Sequence, residues 1–154
     1  MLRSIPPSKI RGSGGRFAII ASQYNARYVD AMLRAAKTEL ARAGAWIQIV
    51  RVPGAYEIPV VAKRLARTGQ PPLSGIICLG VILRGQTVHA AHIGDAVSRG
   101  LMEIQLAHEV PVIHEVLLLE NENQARVRCL SKTHNRGREA AQTALSMAAL
   151  MKTL

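Results

Sequence analysis

The chain has 154 residues, of which 49% are hydrophobic, and this size fits one globular domain with a sizeable core. Its formal charge is +10 and only 3% of its residues are aromatic. No basic stripe with interleaved aromatic residues is present, so nucleic acid is not the expected partner. No run approaches the roughly twenty apolar residues that a membrane span requires, so a membrane is not expected either.

Residues 1–16 are predicted to form a flexible N-terminal arm, and residues 17–154 a single domain. The arm is basic, but its prolines and glycines would interrupt the amphipathic helix of an organelle transit segment. It also lacks the continuous apolar core of a secretory signal. We therefore expect a cytoplasmic protein, in which Cys78 and Cys129, far apart and without CxxC spacing, are reduced thiols.

Strand and helix patterns alternate along the predicted domain. A short apolar run at 17–22 predicts a buried strand, and Asn25 is predicted to cap the helix that follows and ends near Gly44. A second strand is predicted at 47–52. A second helix is predicted at 55–67, with a proline in its first turn or two, where proline is tolerated.

The second half of the chain continues this alternation. Residues 75–83 form a long apolar run, as expected of a central strand covered on both faces, and a helix is predicted at 87–109. A fourth strand at 110–119 and a last helix at 137–152 follow. No hairpin dipeptides join the strands, so the sheet should be parallel. The prediction is an α/β fold, a flavodoxin-like three-layer α/β/α sandwich with a parallel sheet of about four strands.

In an open parallel sheet, ligands bind beyond the carboxyl ends of the strands, where loops and helix N-termini meet. The first predicted strand leads to Tyr24, and the second leads to Tyr56 and Glu57. Tyr24 is a candidate to stack on a planar ring, although packing at the rim is equally compatible with its position. Glu57 is a candidate to accept hydrogen bonds from hydroxyl or amine groups.

The third predicted strand leads to Gly85, Gln86 and Thr87, directly before a helix. Free backbone amides and a hydroxyl in this setting can hold a phosphate, and an ordinary threonine cap is the alternative interpretation. His89 would be a general acid or base beside it, or else a structural histidine. His89 and His92 have metal-binding spacing, but no Glu or Cys completes a ligand set, so no metal is predicted.

Three segments of the chain resemble the lumazine synthase family, and the match runs from about residue 17 to residue 150. Residues 52–59 read VPGAYEIP, close to the family's VPGA(F/Y)EIP, and residues 79–89 read LGVILRGQTVH, close to its LGxVIRGxTxH. Residues 120–128 and 135–137 read ENENQARVR and NRG, similar to its ENxEQAxxR and NKG. Three such motifs in the right order are highly specific.

The resemblance implies an enzyme, a transferase that joins 5-amino-6-(D-ribitylamino)uracil to 3,4-dihydroxy-2-butanone 4-phosphate during riboflavin biosynthesis without a cofactor. It implies that His89 transfers protons. The implied contacts to the pyrimidine and its ribityl chain are Tyr24, Asn25, Ala55, Tyr56, Glu57, Val81, Ile82, Leu83, His114 and Arg136. The implied phosphate ligands are Gly85, Gln86, Thr87 and Arg128. No lysine lies at a strand end, which fits an imine formed between the substrates themselves.

Family members are homo-oligomers with active sites between subunits, either pentamers or hollow shells built from pentamers. His114 stands where the family commonly has a phenylalanine contributed by a neighbouring subunit. Glu115 and Arg136 also depart from the family pattern, where glycine and lysine are usual. These departures leave an alternative open, a catalytically weak shell protein that binds lumazine or flavin.

Overall fold

The computed structural model describes residues 14–154, so nearly all of the predicted N-terminal arm lies outside the described residues. A 3-10 turn, Ala55–Glu57, precedes the second helix, and a π-helical turn, Arg126–Leu130, follows the fourth. The strands and α-helices are β1 (Arg16–Ser22), α1 (Ala26–Arg42), β2 (Trp46–Val52), α2 (Ile58–Thr68), β3 (Gly75–Leu83), α3 (His89–His108), β4 (Val112–Leu119), α4 (Glu122–Ala125) and α5 (Arg136–Met151).

The four strands form one parallel sheet in the order β2-β1-β3-β4. Helices α1 and α5 cover one face, and α2 and α3 cover the other. The predicted three-layer sandwich with a parallel sheet is therefore confirmed. Across residues 14–154, every helix is too short or too polar to cross a membrane.

The core is largely aliphatic, and the two inner strands, β1 and β3, are buried on both faces. Successive residues alternate between the layers, so Ile19 and Leu79 pack toward α1 and α5, while Ile20 and Cys78 pack toward α2 and α3. The sheet thus brings the carboxyl ends of all four strands to one edge, and this edge is where a ligand site is expected.

Two predicted boundaries differ from the structure for clear physical reasons. The helix predicted at 55–67 is a 3-10 turn followed by α2, whose second residue is Pro59. Proline has no N–H to donate and is favoured in the first turn, so the regular helix begins there. Arg16, assigned by the sequence to the arm, is the first residue of β1, and its N–H donates to Ser74 Oγ over 3.1 Å.

The prediction that the Asn25 side chain caps α1 is wrong. Asn25 does precede the helix, but its backbone is left-handed, with φ 56° and ψ 41°, and its side chain makes no capping hydrogen bond. Asparagine tolerates this conformation better than most residues. Its Nδ2 instead donates to the carbonyl of Val81 on β3 over 2.7 Å, which makes Asn25 a link between two strand ends.

Candidate active site

The loops after β1 and β2 are joined by backbone hydrogen bonds at the carboxyl edge of the sheet. The amides of Gln23 and Tyr24 donate to the carbonyls of Val52 and Pro53 over 2.8 and 3.1 Å. Together with the bond from Asn25 to β3, they hold the loop after β1 between the ends of its two neighbouring strands. The position of Tyr24 is therefore set by backbone contacts.

The 3-10 turn after β2 lies at the same edge, since it contacts both β3 and α3. Its Tyr56 side chain is 64% exposed and Tyr24 is 74% exposed. Glu57 is also exposed, with its carboxylate close to Gly54. Two rings and a carboxylate are thus presented to solvent at one edge, where they can stack on a planar ring and accept hydrogen bonds from a ligand.

The loop between β3 and α3 has the features of an anion site. Gly85, Gln86 and Thr87 are exposed, and the space beside the Gly85 Cα is open. The first amides of α3 have no partner in the helix and carry the positive end of its dipole. The Thr87 hydroxyl accepts the His89 N–H over a long 3.4 Å, while the N-cap position of α3 is Val88, so α3 has no side-chain cap.

His89 is the first residue of α3 and is exposed beside this loop. Within residues 14–154, no group of three or more His, Cys, Asp or Glu side chains is arranged to hold a metal ion. We call the following residues, which share the carboxyl edge of β1, β2 and β3, the rim group: Tyr24, Asn25, Ala55, Tyr56, Glu57, Val81, Ile82, Leu83, Gly85, Gln86, Thr87 and His89.

The remaining predicted site residues, His114, Arg128 and Arg136, form a second set that we call the edge group. His114 is the third residue of the edge strand β4 and is paired in register with Cys78. Cys78 is five residues before Leu83, which corresponds to roughly 16 Å along the strand at about 3.3 Å per residue. Val81, the nearest rim residue on β3, is three residues after Cys78, so His114 lies about 10 Å along the sheet from the rim group of its own chain.

The His114 imidazole has a defined protonation state. Its Nδ1 accepts the Val116 N–H over 3.2 Å, and its Nε2 lies 2.7 Å from Ser98 Oγ. Ser98 Oγ donates to the carbonyl of Gly94, so it must accept from Nε2–H. The ring is neutral, and burial lowers the pKa of His114.

Arg136 is held by two carboxylates. Its Nε and Nη2 donate to Glu115, each over 3.1 Å, and its Nη1 donates to Glu139 over 2.7 Å. Glu115 is only 6% exposed, and burial raises its pKa to about 6 although Arg136 acts in the opposite direction. Within residues 14–154, by contrast, the Arg128 guanidinium makes neither a hydrogen bond nor an ion pair, which leaves it open to an anion.

Comparison with known proteins matches almost the whole chain to one family. The model of the 6,7-dimethyl-8-ribityllumazine synthase family matches residues 14–152. The chain belongs to this family. Relatives named 6,7-dimethyl-8-ribityllumazine synthase are 42% identical in Xanthomonas euvesicatoria pv. vesicatoria, 43% in Xanthomonas oryzae pv. oryzae and 40% in Xylella fastidiosa. Each alignment covers 94% of this chain and 95% of the relative.

The structure also identifies polar residues that the sequence did not single out for the site. Ser98 orients His114, and Glu115 holds Arg136. Asn135 begins α5 and reaches back to the π-helical turn. The sequence could have indicated two of them, because Glu115 is a carboxylate within an apolar strand and Asn135 is the first residue of the NRG segment. Nothing in the sequence indicated the role of Ser98, since a single serine in a helix is common.

Proposed function

We propose that the protein is a 6,7-dimethyl-8-ribityllumazine synthase that condenses 5-amino-6-(D-ribitylamino)uracil with 3,4-dihydroxy-2-butanone 4-phosphate. The products are 6,7-dimethyl-8-ribityllumazine, phosphate and water. The observation that carries the proposal is the rim group, in which exposed aromatic rings, a carboxylate, a helix N-terminus and an imidazole share one edge of the sheet. Family membership supplies the identity of the substrates.

The proposed pyrimidine site is the part of the rim formed by β1, β2 and β3. Tyr24 offers an exposed ring for stacking, and the backbone at Val81, Ile82 and Leu83 faces the ring edge. Ala55, Tyr56 and Glu57 contact the ribityl chain, where the carboxylate accepts hydrogen bonds from hydroxyls. Asn25 keeps the loop of Tyr24 beside β3 through its bond to the Val81 carbonyl.

The proposed phosphate site is the loop of Gly85, Gln86 and Thr87 at the start of α3, completed by Arg128. Amides at a helix N-terminus bind the phosphate and stabilise it as it leaves. His89, two residues after Thr87 at the start of α3, moves protons as the imine forms and the ring closes. Much of the rate enhancement comes from holding two reactants in place.

We further propose that the edge group completes the site in a neighbouring subunit of a homo-oligomer. Tyr24, Tyr56 and His89 are open to solvent, and His114 lies about 10 Å or more along the sheet from the rim residues of β3 in its own chain. Exposed apolar side chains just before and along α3, on β4 and in the π-helical turn are available for contacts with other subunits. They are Val88, Met102, Leu106, Leu118, Val127 and Leu130.

The decisive experiment incubates the purified protein with both substrates and follows lumazine fluorescence and phosphate release. We expect both signals to rise together, well above the spontaneous rate. Tight lumazine binding with product formed only at the spontaneous rate would overturn the proposal in favour of a binding protein. Static light scattering measures the oligomer and separates a pentamer from a shell, whereas a monomer contradicts the proposed inter-subunit site.

We also propose that residues 17–154 act as one catalytic domain in the cytoplasm. Both cysteines of the chain are free and buried, and free thiols are typical of a reducing compartment. Burial raises the pKa of the Cys129 thiol to about 11, which keeps it protonated and unreactive.

A further inference from the structure

The start of α5 is connected to the π-helical turn that carries Arg128. Asn135 is 8% exposed, and its Oδ1 accepts the N–H groups of Gly137 and Arg138 over 2.8 and 3.3 Å, which caps the helix. Its Nδ2 donates to the carbonyl of Cys129 over 2.6 Å. One buried amide thus satisfies two helix amides and one carbonyl at the end of the preceding turn.

The two ends of this connection are fixed in the core. Cys129 is fully buried against the α1 and α5 layer, and Gly137 packs directly on the α1 backbone at Met32. Arg128 is the residue before Cys129, so the hydrogen bond to the Cys129 carbonyl is one peptide unit from the Arg128 backbone. The arginine side chain itself is exposed and makes no ion pair within residues 14–154.

We propose that Asn135 is a positioning residue for phosphate recognition, which acts by fixing the turn that presents Arg128. This inference rests on the proposed function, in which Arg128 is a phosphate ligand. The Arg128 guanidinium has no partner among the described residues, so the protein controls it through the backbone from which its side chain starts, and the buried amide of Asn135 holds that backbone in place. The neighbouring Arg126 differs, because it pairs with Glu122 at 3.8 Å.

The test is a substitution that removes the donor and keeps the cap. Asn135→Asp retains an oxygen for the amides of Gly137 and Arg138 but places an acceptor against the Cys129 carbonyl. We expect the KM for 3,4-dihydroxy-2-butanone 4-phosphate to rise about three- to tenfold, because a displaced charged hydrogen-bond donor loses part of its contribution. The KM for the pyrimidine should stay unchanged, which a general loss of structure would not produce.

A double-mutant cycle separates this inference from the proposed function. Arg128→Ala should itself raise the KM for the sugar phosphate, and Asn135→Asp should add nothing in that background. If Arg128→Ala leaves this KM unchanged, the phosphate role of Arg128 fails. If Arg128→Ala raises it while Asn135→Asp has no effect, or has the same effect with and without Arg128, the positioning role of Asn135 is refuted.

Two further variants keep the test decisive. Asn135→Ser also preserves a capping oxygen and removes the donor without adding charge, so it replaces Asn135→Asp if that variant does not fold. Asn121→Asp is the matched control, since Asn121 caps α4 by accepting the Gln124 N–H over 3.0 Å. It should leave both KM values unchanged, and a rise equal to that of Asn135→Asp would show a nonspecific effect of the substitution.

Discussion

The rim group and the segment from β4 to α5 hold their polar side chains in different ways. At the rim, Tyr24, Glu57 and His89 are exposed, and their positions come from the backbone of strand ends and a helix start. Between β4 and α5, Glu115, Arg136 and Asn135 are engaged in hydrogen bonds within the protein. The first region is free to bind a ligand, whereas the second already satisfies most of its own polar groups.

This difference predicts that rim side chains contribute mainly to activity and that the side chains between β4 and α5 contribute mainly to stability. Side chains without internal partners contribute little to folding but remain available to substrates, so changing them should affect activity alone. Side chains in a buried network contribute to folding, and their influence on the reaction is indirect. Four substitutions test this division, two in each region.

The largest effect is expected for Gly137→Ala in the segment from β4 to α5. A Cβ at Gly137 would overlap the carbonyl oxygen of Met32, which belongs to the α1 backbone and cannot rotate away. We expect unfolding in denaturant to show a loss of about 3 kcal/mol or more. Gly94→Ala in α3 is the control, because its Cβ would meet only ordinary contacts with Leu118 at 3.6 Å. Equal stabilities of the two variants would contradict the close packing of α5 on α1.

Sequence patterns predicted the sheet, its parallel topology and the rim because each depends on local order along the chain. A strand followed by a helix places its terminal loop at a known edge, so Tyr24, Glu57 and His89 could be assigned together before any contact was known.

The network between β4 and α5 could not be predicted in this way. The bond from Asn135 to Cys129 depends on how the π-helical turn folds back, and the pairing of Glu115 with Arg136 joins residues of different layers. The error at Asn25 has the same origin. Local propensity favours a helix cap at Asn25, but its side chain donates instead to the carbonyl of Val81 on a neighbouring strand.

At the rim, His89→Ala should slow turnover by about tenfold to a hundredfold, toward the low end of general acid–base contributions because positioning supplies much of the rate. The melting temperature should not change, since His89 is exposed. His92→Ala, one turn along α3 and also exposed, is the matched control and should keep the rate of the unmodified protein. Full activity in His89→Ala would refute the assigned role, and loss of stability would contradict the division between regions.

In the segment from β4 to α5, Glu115→Gln should change how the free energy of unfolding depends on pH. The pKa of Glu115 is raised from 4.5 to about 6 in the folded state, so the native protein binds this proton more tightly than the unfolded chain. The free energy of unfolding therefore falls as pH rises from about 4.5 to about 6, by about 2 kcal/mol for this group. Glutamine does not titrate, so the variant should lack this fall.

Denaturant unfolding of both proteins at about pH 4.5 and about pH 7.5, roughly 1.5 units below and above the folded-state pKa of about 6, measures the difference. The stability of Glu115→Gln relative to the unmodified protein should increase between these values. Glu120→Gln changes an exposed partner of Arg84 and should show no such increase. Parallel pH curves for Glu115→Gln and the unmodified protein would show that the buried carboxyl does not titrate as inferred.

The smallest effect is expected for Tyr24→Ala at the rim, and it isolates the stacking contact. Removing a ring that is 74% exposed should leave stability within about 0.5 kcal/mol, while loss of an aromatic stack should raise the KM for the pyrimidine about two- to tenfold. Tyr24→Phe keeps the ring and should keep the KM. A rise in Tyr24→Phe equal to that in Tyr24→Ala would assign the contact to the hydroxyl, because only the hydroxyl is lost in both variants.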